Sequence, residues 1–117
     1  MKPNPLKDKS FAFAVRVVRL NQFLVKEKKE FVLSKQVIRS GTAIGALYRE
    51  AEHAESKADF IHKLGIAQKE TNETLYWLEL LKETCYLDES QFQSLHNDAT
   101  ELIKLITSII KSSKHNN

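Results

Sequence analysis

The placement of proline and glycine constrains the fold of this 117-residue chain more than any other feature. Both prolines lie within the first five residues, and Gly41, Gly45 and Gly65 lie inside segments with helical hydrophobic spacing. Because proline and glycine mark turns, their absence at regular intervals excludes a fold made of many strands and turns. The sequence therefore predicts an all-α protein.

Hydrophobic spacing divides the chain into four helical stretches. Apolar residues recur three and four positions apart, as on one side of an α-helix, over residues 10–29, 34–54, 56–85 and 88–113. Two starts carry capping signals, Ser56 with Asp59 and Asp88 with Gln91. Short turns force neighbouring helices to run antiparallel. We therefore predict one domain, residues 1–117, folded as an antiparallel up-down-up-down four-helix bundle.

The first predicted helix is apolar around more of its circumference than one bundle can bury. Phe11, Val15 and Val18 fill one sector and a second row fills another, so the apolar arc spans roughly 220°. The third predicted helix repeats this pattern. We therefore predict a homo-oligomer. The candidate interface residues are Phe13, Val17, Leu20, Leu24, Ile66, Glu73, Trp77 and Leu80. The alternative is that the helices splay and Trp77 covers the bundle edge.

Positive charge is concentrated in the first half of the chain. Residues 1–58 contain 12 Lys and Arg against 6 Asp and Glu, whereas residues 59–117 contain 6 against 9; the balances of +6 and −3 sum to the net +3. Several of these cations share one sector of the first helix, where they could follow phosphates. The candidate contacts to RNA or DNA are Lys9, Arg16, Arg19, Lys26, Lys35 and Arg39. The alternative is a solvated polar face.

A metal site is the main catalytic alternative that the residues suggest. Glu50 with His53, and Asp59 with His62, have the Glu-x-x-His type of spacing found in carboxylate-bridged metal bundles. Such sites need two further carboxylates from other helices, and these pairs lie at an end of the bundle. With no glycine-rich phosphate loop and no nucleophile elbow, we predict a non-enzymatic protein without cofactors, the alternative being a metal-carboxylate oxidoreductase.

Several other residues have structural interpretations. Gly41-x-x-x-Gly45 predicts close helix packing in a soluble protein, because arginines flank it. Cys85 continues the apolar row of the third helix, which predicts a small buried hydrophobe. Glu70 and Glu73 would be satisfied by Arg16 or Arg39. A single cysteine, with no secretory signal and no membrane span in the sequence, favours the cytoplasm.

Three segments form a set of motifs: Arg39-Ser-Gly-Thr-Ala-Ile-Gly-Ala, Ala54-Glu-Ser-Lys-Ala-Asp-Phe-Ile-His-Lys-Leu, and Ile66-Ala-x-Lys-Glu-Thr-x-Glu-Thr-x-Tyr-Trp-Leu. Together they closely resemble the bacterial four-helix-bundle proteins encoded in intervening sequences of 23S ribosomal RNA genes, also called S23 ribosomal protein-like. The chain is also similar to the accessory variability protein of diversity-generating retroelements.

The resemblance implies a cytoplasmic, ring-like homopentamer with no established activity. Similarity to the accessory variability protein, a basic pentamer, implies RNA or DNA and a reverse transcriptase or other protein as partners. The alternative is a protein–protein scaffold or accessory subunit with no nucleic-acid role. The sequence departs from its relatives at Leu47-Tyr48, where Asn-Ile is more frequent.

Overall fold

Four helices account for nearly all of the computed structural model, which describes residues 3–115. They are α1 (Pro5–Lys26), α2 (Leu33–Glu52), α3 (Lys57–Glu83) and α4 (Glu89–His115), with no strand in the described range. The prediction of an all-α fold with four helices is confirmed. Helix α1 begins earlier than the predicted residue 10, because Asn4 Oδ1 accepts a hydrogen bond from the N–H of Lys7 at 3.1 Å. Pro5 follows at a position that needs no N–H donor.

The predicted capping signals form the expected contacts. Ser56 Oγ accepts a hydrogen bond from the N–H of Asp59 at 3.0 Å. Asp88 and Gln91 form a reciprocal pair, in which each side chain accepts from the other residue's N–H, at 2.7 and 3.0 Å. These bonds satisfy amide groups at helix starts that have no partner inside the helix, and so they set where α3 and α4 begin.

The helices enclose one hydrophobic core. Each helix packs against the next along the chain, and α1 also contacts α4, although more sparsely. All four contribute side chains that are fully buried, including Leu24, Ile44, Leu64, Leu78 and Ile106. The sparse contact between α1 and α4 leaves a shallow groove lined mainly by Leu20, Phe23, Leu87 and Leu95.

The glycines of α2 allow α1 to approach closely. A Cβ atom at Gly41 would lie 2.8 Å from both methyl carbons of Val17, and one at Gly45 would lie 3.3 Å from Ser10 Oγ. Side chains at these positions would therefore push α1 away. The prediction that Gly41-x-x-x-Gly45 serves close helix packing is confirmed.

The close contact with α2 also decides which side of α1 faces inward. Because Val17 fills the space above Gly41, its whole row is buried inside the subunit: Phe13, Val17, Leu20 and Leu24 are all core residues. The prediction that these four contact another chain is therefore wrong. The opposite row points outward, with Phe11 58% exposed and Val15 and Val18 also exposed.

Candidate functional site

Two of the cations predicted to form a ridge on α1 are paired with carboxylates of α4. Arg16 lies 2.6 Å from Asp98 and also donates to the backbone oxygen of Ser94. Lys9 lies 2.8 Å from Glu101. The structure therefore brings these two candidates against acidic residues of the same chain, which reduces the positive potential that they present to a phosphate.

Arg39 of α2 is held by two carboxylates of α3. Its guanidinium donates to Glu70 at 3.0 Å and to Glu73, and Glu73 also accepts from Trp77 Nε1 at 3.1 Å. The hydrogen bonds that Arg39 donates to Glu73 and then to Glu70 raise the pKa of Arg39, and the bond donated to Glu73 lowers the pKa of Glu73. Of the two arginines predicted as partners for these glutamates, Arg39 is the one that pairs with them, whereas Arg16 pairs with Asp98.

The apolar candidates of α3 lie beside this ion pair. Ile66, Trp77 and Leu80 are half-buried, so each leaves part of its side chain on the surface. Trp77 packs edge-to-face with Tyr76, with ring centroids 5.0 Å apart, and Tyr76 is 58% exposed. This part of α3 is therefore an apolar surface strip with a paired acidic and basic border.

The remaining candidates, Arg19, Lys26 and Lys35, are exposed. Within residues 3–115, none of the three has a carboxylate at salt-bridge distance. Lys26 ends α1 and Lys35 lies in the first turn of α2, so both flank the turn between these helices. The unpaired members of the candidate set therefore lie in the second half of α1 and in the first turn of α2.

The turn between α1 and α2 carries surface residues that the sequence analysis did not select. Phe31 is 53% exposed and Val32 is 69% exposed. Lys28 and Lys29 precede them, and Lys29 has a left-handed backbone with φ of 54°. The sequence contains the signal as three adjacent apolar residues, Phe31 to Leu33, between lysines, but helical periodicity does not reveal it.

The residues of the predicted metal alternative have other partners. Glu50 pairs with Lys63 at 3.0 Å and raises the pKa of that lysine, while Asp59 accepts from the N–H of Glu55. His53 and His62 are both exposed. Within residues 3–115, no three His, Cys, Asp or Glu side chains are grouped so that they could hold a metal ion.

Cys85 differs from its predicted environment. It is exposed, with φ of 67°, because α3 ends at Glu83 and the chain turns before the apolar row would reach it. The prediction of a buried cysteine is therefore wrong. Over the described residues, no helix combines the length and apolar character needed to cross a membrane.

Comparison with known proteins gives one family match and a similar solved structure. A family model described as 23S rRNA-intervening sequence protein matches residues 4–108. The chain is 63% identical, with a TM-score of 0.92, to a protein of unknown function from the S23 ribosomal protein family of Bacteroides thetaiotaomicron VPI-5482. That match covers 95% of this chain and 99% of the other. No curated protein matches.

Proposed function

Because this chain belongs to the 23S rRNA-intervening sequence protein family, we propose that it is a non-enzymatic helical bundle that self-associates and binds RNA or DNA. The proposed subunit is up-down-up-down. This is supported by the reversed order of the ion pairs between α2 and α3, Glu50 with Lys63 and Arg39 with Glu70. The proposed assembly is a ring-like homopentamer in the cytoplasm, as the resemblance implies.

The nucleic-acid part of the proposal depends on one observation, the exposure of Arg19, Lys26 and Lys35 without carboxylate partners among the described residues. An unpaired cation can displace a condensed counterion from a phosphate, and the released ion drives binding. Contacts of this kind position a nucleic acid without reading its bases. The proposed binding is therefore sensitive to salt and largely insensitive to base sequence.

Self-association is supported by the outward face of α1. Phe11, Val15 and Val18 are exposed neighbours on one helix face, and the Arg49 guanidinium lies 5.5 Å from the centre of the Phe11 ring. Burying such a face against a second copy gains about 25 cal/mol for each Å² of apolar surface removed from water. Each added subunit would also repeat the unpaired cations, which raises the avidity for a long polyanion.

The binding proposal is tested by fluorescence anisotropy with a labelled RNA and a labelled DNA, each at two salt concentrations. We expect wild-type protein to bind at low salt, and the triple variant Arg19→Glu, Lys26→Glu, Lys35→Glu to bind at least tenfold more weakly. If three phosphate contacts are lost, the dependence of log K on log salt becomes shallower by about 2.1 for a single strand and by about 2.7 for a duplex. Absence of salt-sensitive binding by the wild-type protein would refute the proposal.

A charge-matched control separates a local site from overall charge. Lys57, Lys104 and Lys111 are also exposed and, in the described part of the chain, without carboxylate partners. The triple change of these lysines to glutamate alters the net charge equally but leaves α1 unchanged. We expect it to retain most of the affinity. An equal loss in both triple variants would show that only net charge matters.

Self-association has its own test, light scattering at micromolar concentration. We expect wild-type protein to have the mass of several subunits, and the double variant Val15→Asp, Val18→Asp to have the mass of one. Val32→Asp is the control, because Val32 is at least as exposed but lies off this face. A wild-type protein with the mass of one subunit would contradict the proposed assembly.

A protein–protein scaffold without nucleic-acid binding is the second candidate. It is favoured by the pairing of Lys9, Arg16 and Arg39 with carboxylates of their own chain, which leaves only half of the predicted cations available to phosphates. Its expected result is normal assembly by light scattering together with no salt-sensitive binding to RNA or DNA.

A further inference from the structure

We propose that the turn between α1 and α2 binds single-stranded nucleic acid, with the Phe31 ring stacked on an unpaired base and nearby lysines in contact with the adjoining phosphates. The inference rests on the proposed function and names the class of nucleic acid. The lysines are Lys26, Lys29 and Lys35. Together with Phe31 and Val32, they form what we call the basic-aromatic turn.

The apolar side chains of this turn are exposed. Phe31 is 53% exposed and Val32 is 69% exposed, although the core is only a few residues away at Leu24 and Val37. A phenyl ring on the surface offers a flat face, and every nucleic-acid base has a flat face that can stack on it. The turn therefore presents the apolar part of a stacking site.

Hydrogen bonds hold this turn in one shape. The N–H of Glu30 donates to the Leu24 oxygen at 2.9 Å, and the Glu30 carboxylate accepts from the N–H groups of Val32 at 3.3 Å and Ser34 at 2.8 Å. Asn21 Nδ2 donates to the Ser34 oxygen at 3.1 Å. Because Glu30 is directed inward, Phe31 is presented to solvent without having to be ordered when a ligand binds.

The residues that flank Phe31 in the sequence carry a net positive charge. Residues 26–35 contain four lysines and two glutamates, and one of those glutamates, Glu30, is buried and bonded to backbone N–H groups. Lys29 is two residues from Phe31, which places their Cα atoms within about 7 Å of each other. Lys28 lies with its Nζ 5.7 Å from the centre of the Phe23 ring. Exposed lysines therefore precede and follow Phe31 in the sequence of the turn, with a balance of two positive charges over residues 26–35.

The small apolar surface of the basic-aromatic turn favours a single strand over other polyanions. In a duplex the base faces are already stacked on one another, so an exposed ring has no face to contact. Attachment to an anionic membrane requires a larger buried apolar area than one phenylalanine and one valine provide. One ring among several lysines matches one unpaired base among its phosphates.

The experiment measures anisotropy of a labelled single-stranded RNA and of an RNA duplex of the same length, with full-length protein. We expect Phe31→Ala to weaken binding of the single strand by roughly fivefold to a hundredfold, with an unchanged dependence on salt. Phe31→Trp should restore the affinity, because tryptophan also stacks. Lys29→Glu should weaken binding and also make the salt dependence shallower.

Tyr76→Ala is the matched control, because Tyr76 is a similarly exposed aromatic residue on α3. We expect it to bind like the wild-type protein. Equal single-strand affinity of Phe31→Ala and wild type, or preference for the duplex, would overturn this inference and leave the proposed function standing. Phe31-dependent binding to vesicles of anionic phospholipid without binding to RNA would overturn both.

Discussion

Replacing Gly41 by alanine tests the closest approach between α1 and α2. A Cβ at residue 41 would lie 2.8 Å from both methyl carbons of Val17 and 3.2 Å from its Cβ, whereas carbon atoms in ordinary contact are about 3.5–4.0 Å apart. Val17 is fully buried and β-branched, so its methyl groups cannot rotate away inside a helix at low cost. The two helices must therefore separate locally to admit the added methyl group.

Gly65 provides the reference for the magnitude, since it also lies within a helix but a Cβ there would meet no atom within 4 Å. Alanine in place of a mid-helix glycine gains about 1 kcal/mol of helix propensity at either site. Overpacking at residue 41 costs about 1–3 kcal/mol. Because the propensity gain cancels in the comparison, we expect Gly41→Ala to be about 1–3 kcal/mol less stable than Gly65→Ala.

Urea denaturation followed by circular dichroism measures this difference, at one protein concentration because self-association would shift the midpoint. Adding Val17→Ala to Gly41→Ala removes the two methyl carbons that clash, so the double variant should be less destabilised than the sum of the single changes. Equal stability of Gly41→Ala and Gly65→Ala, or simple addition of the effects of Gly41→Ala and Val17→Ala, would refute the proposed steric conflict.

Two further predictions concern the contact between α2 and α3. Because Arg39 lowers the pKa of Glu73 below its ordinary value of 4.5, this pair stabilises the fold fully above that pH and loses its contribution as the pH falls through the lower folded-state pKa. The free energy of unfolding of Glu73→Gln should therefore fall less in acid than that of the wild type, by under about 1 kcal/mol for so exposed a pair. An equal fall in both proteins would contradict this prediction. The hydroxyls of Thr74 and Ser40 are buried and 2.8 Å apart, so Thr74→Val should cost about 1–3 kcal/mol in the same assay. Adding Ser40→Ala should recover part of that loss, and no recovery would show that the pair is not the cause.

The four helices could be predicted from local patterns because each pattern acts within a few residues. Periodicity located the helices, and the capping pairs at Ser56 and Asp88 placed two starts close to the observed ones. Asn4 followed by Pro5 is an equally local start signal, and considering it would have placed the beginning of α1 correctly. All four helix positions could therefore be predicted from the sequence, including the start of α1, which was predicted too late in the chain.

The inward side of α1 could not be predicted from α1 alone. Its two apolar rows have similar spacing and hydrophobicity, so a helical wheel treats Phe11 and Phe13 alike. The choice is made by α2, where Gly41 and Gly45 leave room for Val17 and Ser10. A prediction that had matched the small residues of α2 to one row of α1 would have identified the core row.

The ion pairs of the candidate cations could also not be predicted from one helix alone. Arg16 and Arg19 are three residues apart and have the same charge, yet only Arg16 meets a carboxylate, because Asp98 of α4 lies opposite it. Partners of this kind are distant in sequence and follow from how the helices pack. A count of basic residues therefore overestimates the positive surface, and only the packed structure shows which cations remain unpaired.

The position of the unpaired cations bears on how self-association and nucleic-acid binding would combine. The outward face of α1 carries Phe11, Val15 and Val18 near the beginning and middle of the helix, whereas the basic-aromatic turn, which includes Lys26, lies at the end of the helix. A subunit contact on that face would therefore leave the turn accessible, and every subunit would add one turn to the surface of the assembly. Phe31→Ala and the double change of Val15 and Val18 to aspartate should both weaken RNA binding. Only the double variant should change the mass of the assembly measured by light scattering. A loss of assembly in Phe31→Ala would mean that the turn is part of the subunit contact.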